Sequence, residues 1–230
     1  MKNYLVFYLF KSKHASWKAT MRDEYVKFNE FAIQSYKDNL VGLDEIVVFD
    51  DEVEYLTDAF KLGFHKIYDM WKSEKCNIMF CGVDTYCFKK VDIFDKFENF
   101  MMFNYSDPST YMNIENYFNC DVRIFPHTMK QEAWDVGLKM SENWDSRSAT
   151  CNGVRQWDYE QYILNNMLWS PENGGMSLED CYRPDLAWQD VAVKNNNGGI
   201  PITEASIVHF HGTRQIDTIK AKVEGILGGS

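Results

Sequence analysis

The stretch Asn77-Ile78-Met79-Phe80-Cys81-Gly82-Val83-Asp84-Thr85 decides how the rest of the chain is read. Its first five residues, NIMFC, form a short apolar run closed by a glycine, the pattern of a strand buried on both faces. An aspartate follows three positions later. A carboxylate at the end of a buried strand costs free energy unless it finds a partner. Asp84 therefore asks for one, and Gly82, two places before it, stands where a second acid could have stood.

Working outward, the same kind of run occurs twice upstream. YLVFYLF at 4–10 reads as a first buried strand, and IVVF at 46–49 as a second that ends at Asp50-Asp51. Between them Trp17, Met21, Tyr25, Phe28, Ala32 and Tyr36 recur at spacings of four and three, one face of an amphipathic helix that Ser16 would cap. A second helical stretch covers roughly 52–74. Strand–helix–strand–helix–strand implies right-handed crossovers. The expected fold class is thus α/β, with a Rossmann-like, mostly parallel, doubly wound sheet flanked by helices. Ligands of such sheets bind beyond the carboxyl ends of the strands, where Asp50, Asp51 and Asp84 fall. Neither GxGxxG nor GxxxxGK[ST] follows any strand, so a dinucleotide or P-loop enzyme is excluded by motif. Farther on, FMMF at 100–103, VRIF at 122–125 and ASIVHFHG at 205–212 read as strands; 131–140 and 158–168 read as helices, and 169–200 as loop-rich.

The chain has 230 residues, 45% of them hydrophobic and 16% aromatic, enough for one compact domain. That domain is expected over 1–226, its first 90 residues binding nucleotide and the rest sugar and acceptor, with a flexible tail at 227–230. Acids outnumber bases by 34 to 24, a formal charge of −10 with no basic block, which argues against a nucleic-acid partner. A phosphate substrate would then need a cation to mediate its binding. No run has the length of a membrane span or the form of a signal peptide, so a soluble, cytoplasmic protein without an integral membrane segment is expected. The six cysteines make no CxxC pair and read as free thiols in a reducing compartment. Asn104-Tyr105-Ser106 matches a glycosylation sequon, read as incidental.

Four segments, in order, resemble GT-A-fold nucleotide-sugar glycosyltransferases, above all the glycogenin and bacterial galactosyltransferase type. FHKIYDMWKSEKCNIMFCGVDTYCF at 64–88 is similar to the family's basic helix residue, strand and Asp-x-Asp-Thr motif, with Lys66 at the basic position and Gly82-Val83-Asp84-Thr85 at the motif. The second acid is present and the first is missing. YFNCDVRIF at 117–125 resembles the YFNxGV strand, whose asparagine contacts the donor sugar; Asn119 matches, and Asp121 replaces the glycine. EQYILN at 160–165 resembles the DQxxLN helix beside the transferred sugar, with Glu160, Gln161 and Asn165 in place. IVHFHG at 207–212 resembles the segment whose first histidine, here His209, completes the metal site.

The resemblance implies transfer of a hexose from a nucleoside-diphosphate sugar, expected to be UDP-linked, to a glycan or glycoprotein acceptor. Asp84 and His209 would ligate Mn²⁺ or Mg²⁺ on the diphosphate, with water in the place of the absent first acid and metal affinity weak without nucleotide. Lys66, Val83, Asn119 and His211 would bind the nucleotide sugar, with Tyr8 and Phe10 at the base. Asp158, Glu160 and Gln161 are the catalytic candidates, either acid being able to act as base in an inverting reaction. Compact soluble enzymes of this type encoded by large algal viruses are one home for such a chain. Plainer readings stand beside these. Asp84 also suits a turn-capping acid, His209 a core histidine or half of an HxH pair with His211, and Lys66 a solvated helix residue. Asn119 and Gln161 suit structural hydrogen bonding, Asp158 and Glu160 surface acids, Tyr8 and Phe10 plain core. Trp134, Trp144, Trp157, Trp169 and Trp188 lie in the half that would bind acceptor. A sugar-phosphate nucleotidyltransferase and an inactive GT-A-like binding protein are the alternatives; the first lacks its glycine-rich loop in KSKHAS at 11–16.

Overall fold

The computed structural model describes residues 1–13, 19–105, 118–145, 147–148, 150–155, 158–183, 185–189, 204–210 and 216–228. His211, Ser16, Trp17, Ser106, Trp157 and the Asn-Gly run at 195–199 lie outside the described residues. In chain order the elements are β1 (Asn3–Tyr8), β2 (Lys11–Ser12), α1 (Ala19–Asn39), β3 (Glu45–Phe49), β4 (Glu52–Val53), α2 (Leu56–Glu74), β5 (Asn77–Cys81), β6 (Thr85–Cys87) and β7 (Met101–Tyr105). There follow β8 (Phe118–Phe125), α3 (Gln131–Ser141), β9 (Thr150–Cys151), β10 (Val154–Arg155), α4 (Tyr159–Leu168), α5 (Leu178–Cys181), β11 (Ala187–Gln189), β12 (Ile207–His209) and α6 (Ile216–Gly228).

The protein is mixed α/β. Its main sheet has the order β3-β1-β5-β8-β7. β1 runs parallel to both β3 and β5, while β8 is antiparallel to β5 and β7, so β8 alone is reversed. The two strand–helix–strand units expected from the sequence are present. β1 explains why its run is apolar without alternation. Phe7 meets Tyr36 of α1, ring centroids 5.7 Å apart, while Tyr8 points the other way, toward Phe80 at 4.4 Å and α2. Gly63 of α2 admits that Tyr8 ring: a Cβ there would lie 2.3 Å from it. Helices cover both faces, so both sets of β1 side chains are apolar.

On the α2 face the core is aromatic. Trp134 of α3 stacks on Phe125 of β8 at 4.8 Å and touches Trp71 of α2 at 5.7 Å. The Trp71 indole N–H donates to the Pro126 carbonyl at 2.8 Å. Trp134 and Trp144 are thus core residues, and half-buried Trp169 packs on Phe118. A second, smaller sheet of order β11-β12-β6 lies under α1 and α6, where Phe28, Ala32, Val208, Phe210, Ile216, Ile219 and Val223 make a separate apolar cluster. α6 was not anticipated, and it takes in Leu227 and Gly228 of the stretch read as tail. β8 also begins four residues before the VRIF run, because Asp121 and Arg123 interrupt its apolar pattern.

All six cysteines are buried and unpaired. Burial raises the Cys76 thiol to about 11 and those of Cys87 and Cys181 to about 12. The native protein at pH 8 should therefore show no fast-reacting thiol toward Ellman's reagent, against six in guanidinium; one fast native equivalent would contradict the burial. Trp134→Ala empties the centre of the aromatic layer and should cost about 3–5 kcal/mol in urea denaturation. A loss below about 1 kcal/mol would mean that the layer collapses to fill the space.

Candidate functional site

The turn after β5 is fixed from two sides. The Thr85 hydroxyl donates to the Gly82 carbonyl at 2.7 Å, and the Thr85 amide donates to the same oxygen at 3.2 Å. The Tyr36 hydroxyl lies 2.7 Å from Thr85 Oγ1 and ties the turn to α1. On the other side β12 pairs antiparallel with β6, His209 opposite Thr85, and the Phe210 amide donates to the Asp84 carbonyl at 2.9 Å. This pairing carries His209, distant in the chain, to Asp84.

The outcome is a three-residue cluster at the carboxyl end of β5. His209 Nε2 stands 3.3 Å from Asp84 Oδ1 and 3.3 Å from Asp121 Oδ2. The imidazole is buried, and the two carboxylates are 15% and 26% exposed, so the acids reach the surface while the histidine is fixed beneath them. Asp84 and His209 meet, as the resemblance implies. Asp121 was seen in the sequence only as a departure from glycine. The signal that could have found it is strand register: β5 and β8 pair Cys81 with Val122, which sets Gly82 opposite Asp121, and the Gly82 amide donates to the Asp121 carbonyl at 2.7 Å. Two carboxylates and an imidazole are a donor set that suits Mn²⁺ or Mg²⁺. Among the described residues no group of three or more His, Cys, Asp or Glu side chains is spaced to hold a metal ion as it stands.

Asn119 shapes the start of β8. Its Oδ1 accepts the Asp121 amide at 2.8 Å, and its side chain is buried. Arg123, two residues on, was missed by sequence reading, and no exposed surface remains on it. Its Nη2 lies 2.7 Å from Glu160 Oε1 and 3.3 Å from the Tyr8 hydroxyl, its Nη1 donates to the Cys120 carbonyl at 2.7 Å, and its guanidinium carbon sits 3.8 Å over the Phe80 ring. Burial pushes the Glu160 carboxyl up, and Arg123 pulls it back down without cancelling the rise. Burial opposes the Arg123 charge, but Glu160, Tyr8 and Cys120 together outweigh it and the arginine is held more firmly protonated than usual. Glu160 is therefore engaged in a buried ion pair on α4. Asp158 accepts from Arg155 Nε at 2.7 Å at the start of that helix. Gln161 Oε1 is buried with no hydrogen-bond partner among the described residues. Asn165 clamps β8, accepting the Phe118 amide and donating to the Phe118 carbonyl, both at 2.8 Å.

The remaining candidates line the same edge of the sheet. Lys66 Nζ lies 2.5 Å from Asp51 Oδ2 and 5.1 Å over the Phe49 ring. The hydrogen bond from Lys66 holds the Asp51 carboxyl below its usual range. Tyr8 and Phe10 pack together at 5.4 Å and against Phe49, with Phe10 buried and Tyr8 half-buried. Burial raises the Tyr8 hydroxyl far above its ordinary value, so it stays protonated. Val83 is half-buried in the turn. His211 lies outside the described residues.

Removing one partner of the buried pair strands the other charge, so Arg123→Met should destabilise the fold by about 3–5 kcal/mol. Arg123→Met with Glu160→Met should recover most of that loss in urea denaturation; simple addition of the two single losses would show the groups uncoupled. Comparison of the chain with protein-family models, and with curated proteins, finds no match.

Proposed function

We propose that the chain is a metal-dependent glycosyltransferase of the GT-A fold. It moves a hexose from a nucleoside-diphosphate sugar, with uridine diphosphate the expected carrier, to a glycan or glycoprotein acceptor. One observation carries the reading: Asp84 and His209, from separate segments of the family pattern, meet at the carboxyl end of the parallel strands. That edge is where ligands of open α/β sheets bind. The mostly parallel sheet flanked by helices is consistent with it.

Asp84 and His209 would hold Mn²⁺ or Mg²⁺, which supplies Lewis-acid stabilisation of the charge on the departing diphosphate. The imidazole favours Mn²⁺. Lys66 would exchange Asp51 for a phosphate oxygen and bring a positive charge to a protein of −10 net charge. Asn119 and Gln161 line the sugar pocket, Gln161 Oε1 being a buried acceptor for a sugar hydroxyl. Glu160 acts through Arg123 by positioning β8 against α4. The carboxylate left for the acceptor proton in an inverting reaction is Asp158. The engagement of Glu160 by Arg123 favours a second reading, a chain that binds the nucleotide sugar without transferring it. Transfer or hydrolysis across a panel of nucleotide sugars separates the two. No helix among the described residues is long and apolar enough to cross a membrane; a cytoplasmic site of action belongs to the proposal.

Calorimetry tests the core of this reading. Wild type should bind UDP in the presence of Mn²⁺ and bind it far less well in EDTA. Asp84→Ala should weaken binding at least about tenfold, the loss that even residues behind metal ligands produce. Absence of wild-type binding, or unchanged binding by Asp84→Ala, would sink it.

A further inference from the structure

Two departures from the family pattern, an acid lost at 82 and an acid gained at 121, face each other: Gly82, the residue after β5, continues the register opposite Asp121 of β8, and its amide donates to the Asp121 carbonyl. Their side-chain volumes are also one volume. A Cβ added at Gly82 would lie 2.9 Å from Asp121 Oδ1, 3.0 Å from its Cβ and 3.1 Å from its Cγ. Gly82 is not among the positive-φ glycines, so its backbone conformation does not demand glycine. The demand is steric, and Asp121 makes it. Two carboxylates in directly opposite cross-strand positions also repel, so the seam has room for one acid.

Asp121 meanwhile points its other oxygen at the imidazole. Oδ2 stands 3.3 Å from His209 Nε2, the same distance as Asp84 Oδ1. Neighbouring ligands on an octahedral ion with bonds of about 2.1 Å are about 3 Å apart. The two imidazole–carboxylate distances lie near that value, and the three side chains have to draw together around the ion to form a cage. Asn119 holds the Asp121 backbone at 2.8 Å, which steadies the carboxylate.

We propose that the carboxylate missing from position 82 has moved across the strand pair to Asp121, and that Asp84, Asp121 and His209 together ligate the divalent cation. This rests on the metal-dependent reading of the same site. It replaces the water expected in the first acid's place with a charged ligand, so the site binds cation appreciably before nucleotide arrives. It also makes 82 and 121 an exclusive pair, with an acid at one and a glycine at the other.

The test is Mn²⁺ binding followed by electron paramagnetic resonance, with and without UDP, on folded protein checked by circular dichroism. Asp121→Asn keeps the shape and removes the charge; it and Asp121→Gly should weaken Mn²⁺ binding at least about tenfold. Gly82→Asp with Asp121→Gly should return affinity to within about threefold of wild type, a gap under about 1 kcal/mol. Gly82→Asp alone should lower the melting temperature. Wild-type affinity in Asp121→Asn overturns the exchange, as does a folded double variant no better than Asp121→Gly. Should the double variant not fold, Asp121→Asn decides alone. Asp84→Ala keeps the two ideas apart: if it loses Mn²⁺ while the Asp121 variants keep it, the exchange falls and the metal site stands. If all of them bind as wild type does, or wild type binds no Mn²⁺, both fall.

Discussion

A guanidinium with no exposed surface sits on the face of the main sheet, and much of the molecule is arranged to accommodate it. Burying an unpaired charge is costly, so Arg123 needs a carboxylate and further polar or ring-face contacts around it. Glu160 of α4 answers one nitrogen, the Cys120 carbonyl another, and Phe80 of β5 lies flat beneath the carbon. The Tyr8 hydroxyl adds a contact from β1, while Nε stays buried without a hydrogen-bond partner among the described residues. One side chain thereby couples two parallel strands, the reversed strand and a helix from the second half of the chain. A purely apolar packing of the same elements could slide by a residue. A charge that must meet a particular carboxylate cannot, and register of β8 decides what faces Gly82.

The first half of the fold was legible because β1 and β5 are buried, the edge strand β3 is apolar although only half-buried, and the segments between them carry apolar residues at helical spacing. The runs at 4–10, 46–49 and 77–81 sit between periodic segments, and right-handed crossovers leave few ways to arrange them. β8 was read short because polarity inside a strand looks like its end. Asp121 and Arg123 break the apolar pattern, and only tertiary partners make them tolerable there. α6 escaped for another reason. Its apolar face, Ile216, Ile219 and Val223, has the helical spacing, but the buried stripe is narrow and packs on the minor cluster, away from the main sheet.

The site divides in the same way. Asp84 and His209 could be found from local motifs, since each belongs to a segment with its own signature. Asp121 could not, because a substitution away from glycine reads as a loss until the strand opposite is known. Glu160 and Gln161 matched the same helix motif, yet their surroundings differ. Glu160 turns toward Arg123, and Gln161 keeps a buried oxygen without a partner among the described residues. Sequence reading treats neighbours on a helix as one candidate pair. The sheet beneath α4 assigns them to different tasks, because residues one apart on a helix face different ways. Lys66 is a similar case: its position was readable and its hold on Asp51 was not.

The pairing of β12 with β6 sets an order of events during synthesis. The ribosome releases Asp84 and Asp121 long before it releases His209, and the β1–β5 part of the main sheet can pair without it. His209 joins by a contact of long sequence separation, with loop-closure entropy paid at the end. A nascent chain that has emerged through α4 therefore carries a nearly whole sheet with two acids at its edge and no imidazole beneath them. A segment translated after the main sheet finishes the cluster instead of adding a layer to a completed one.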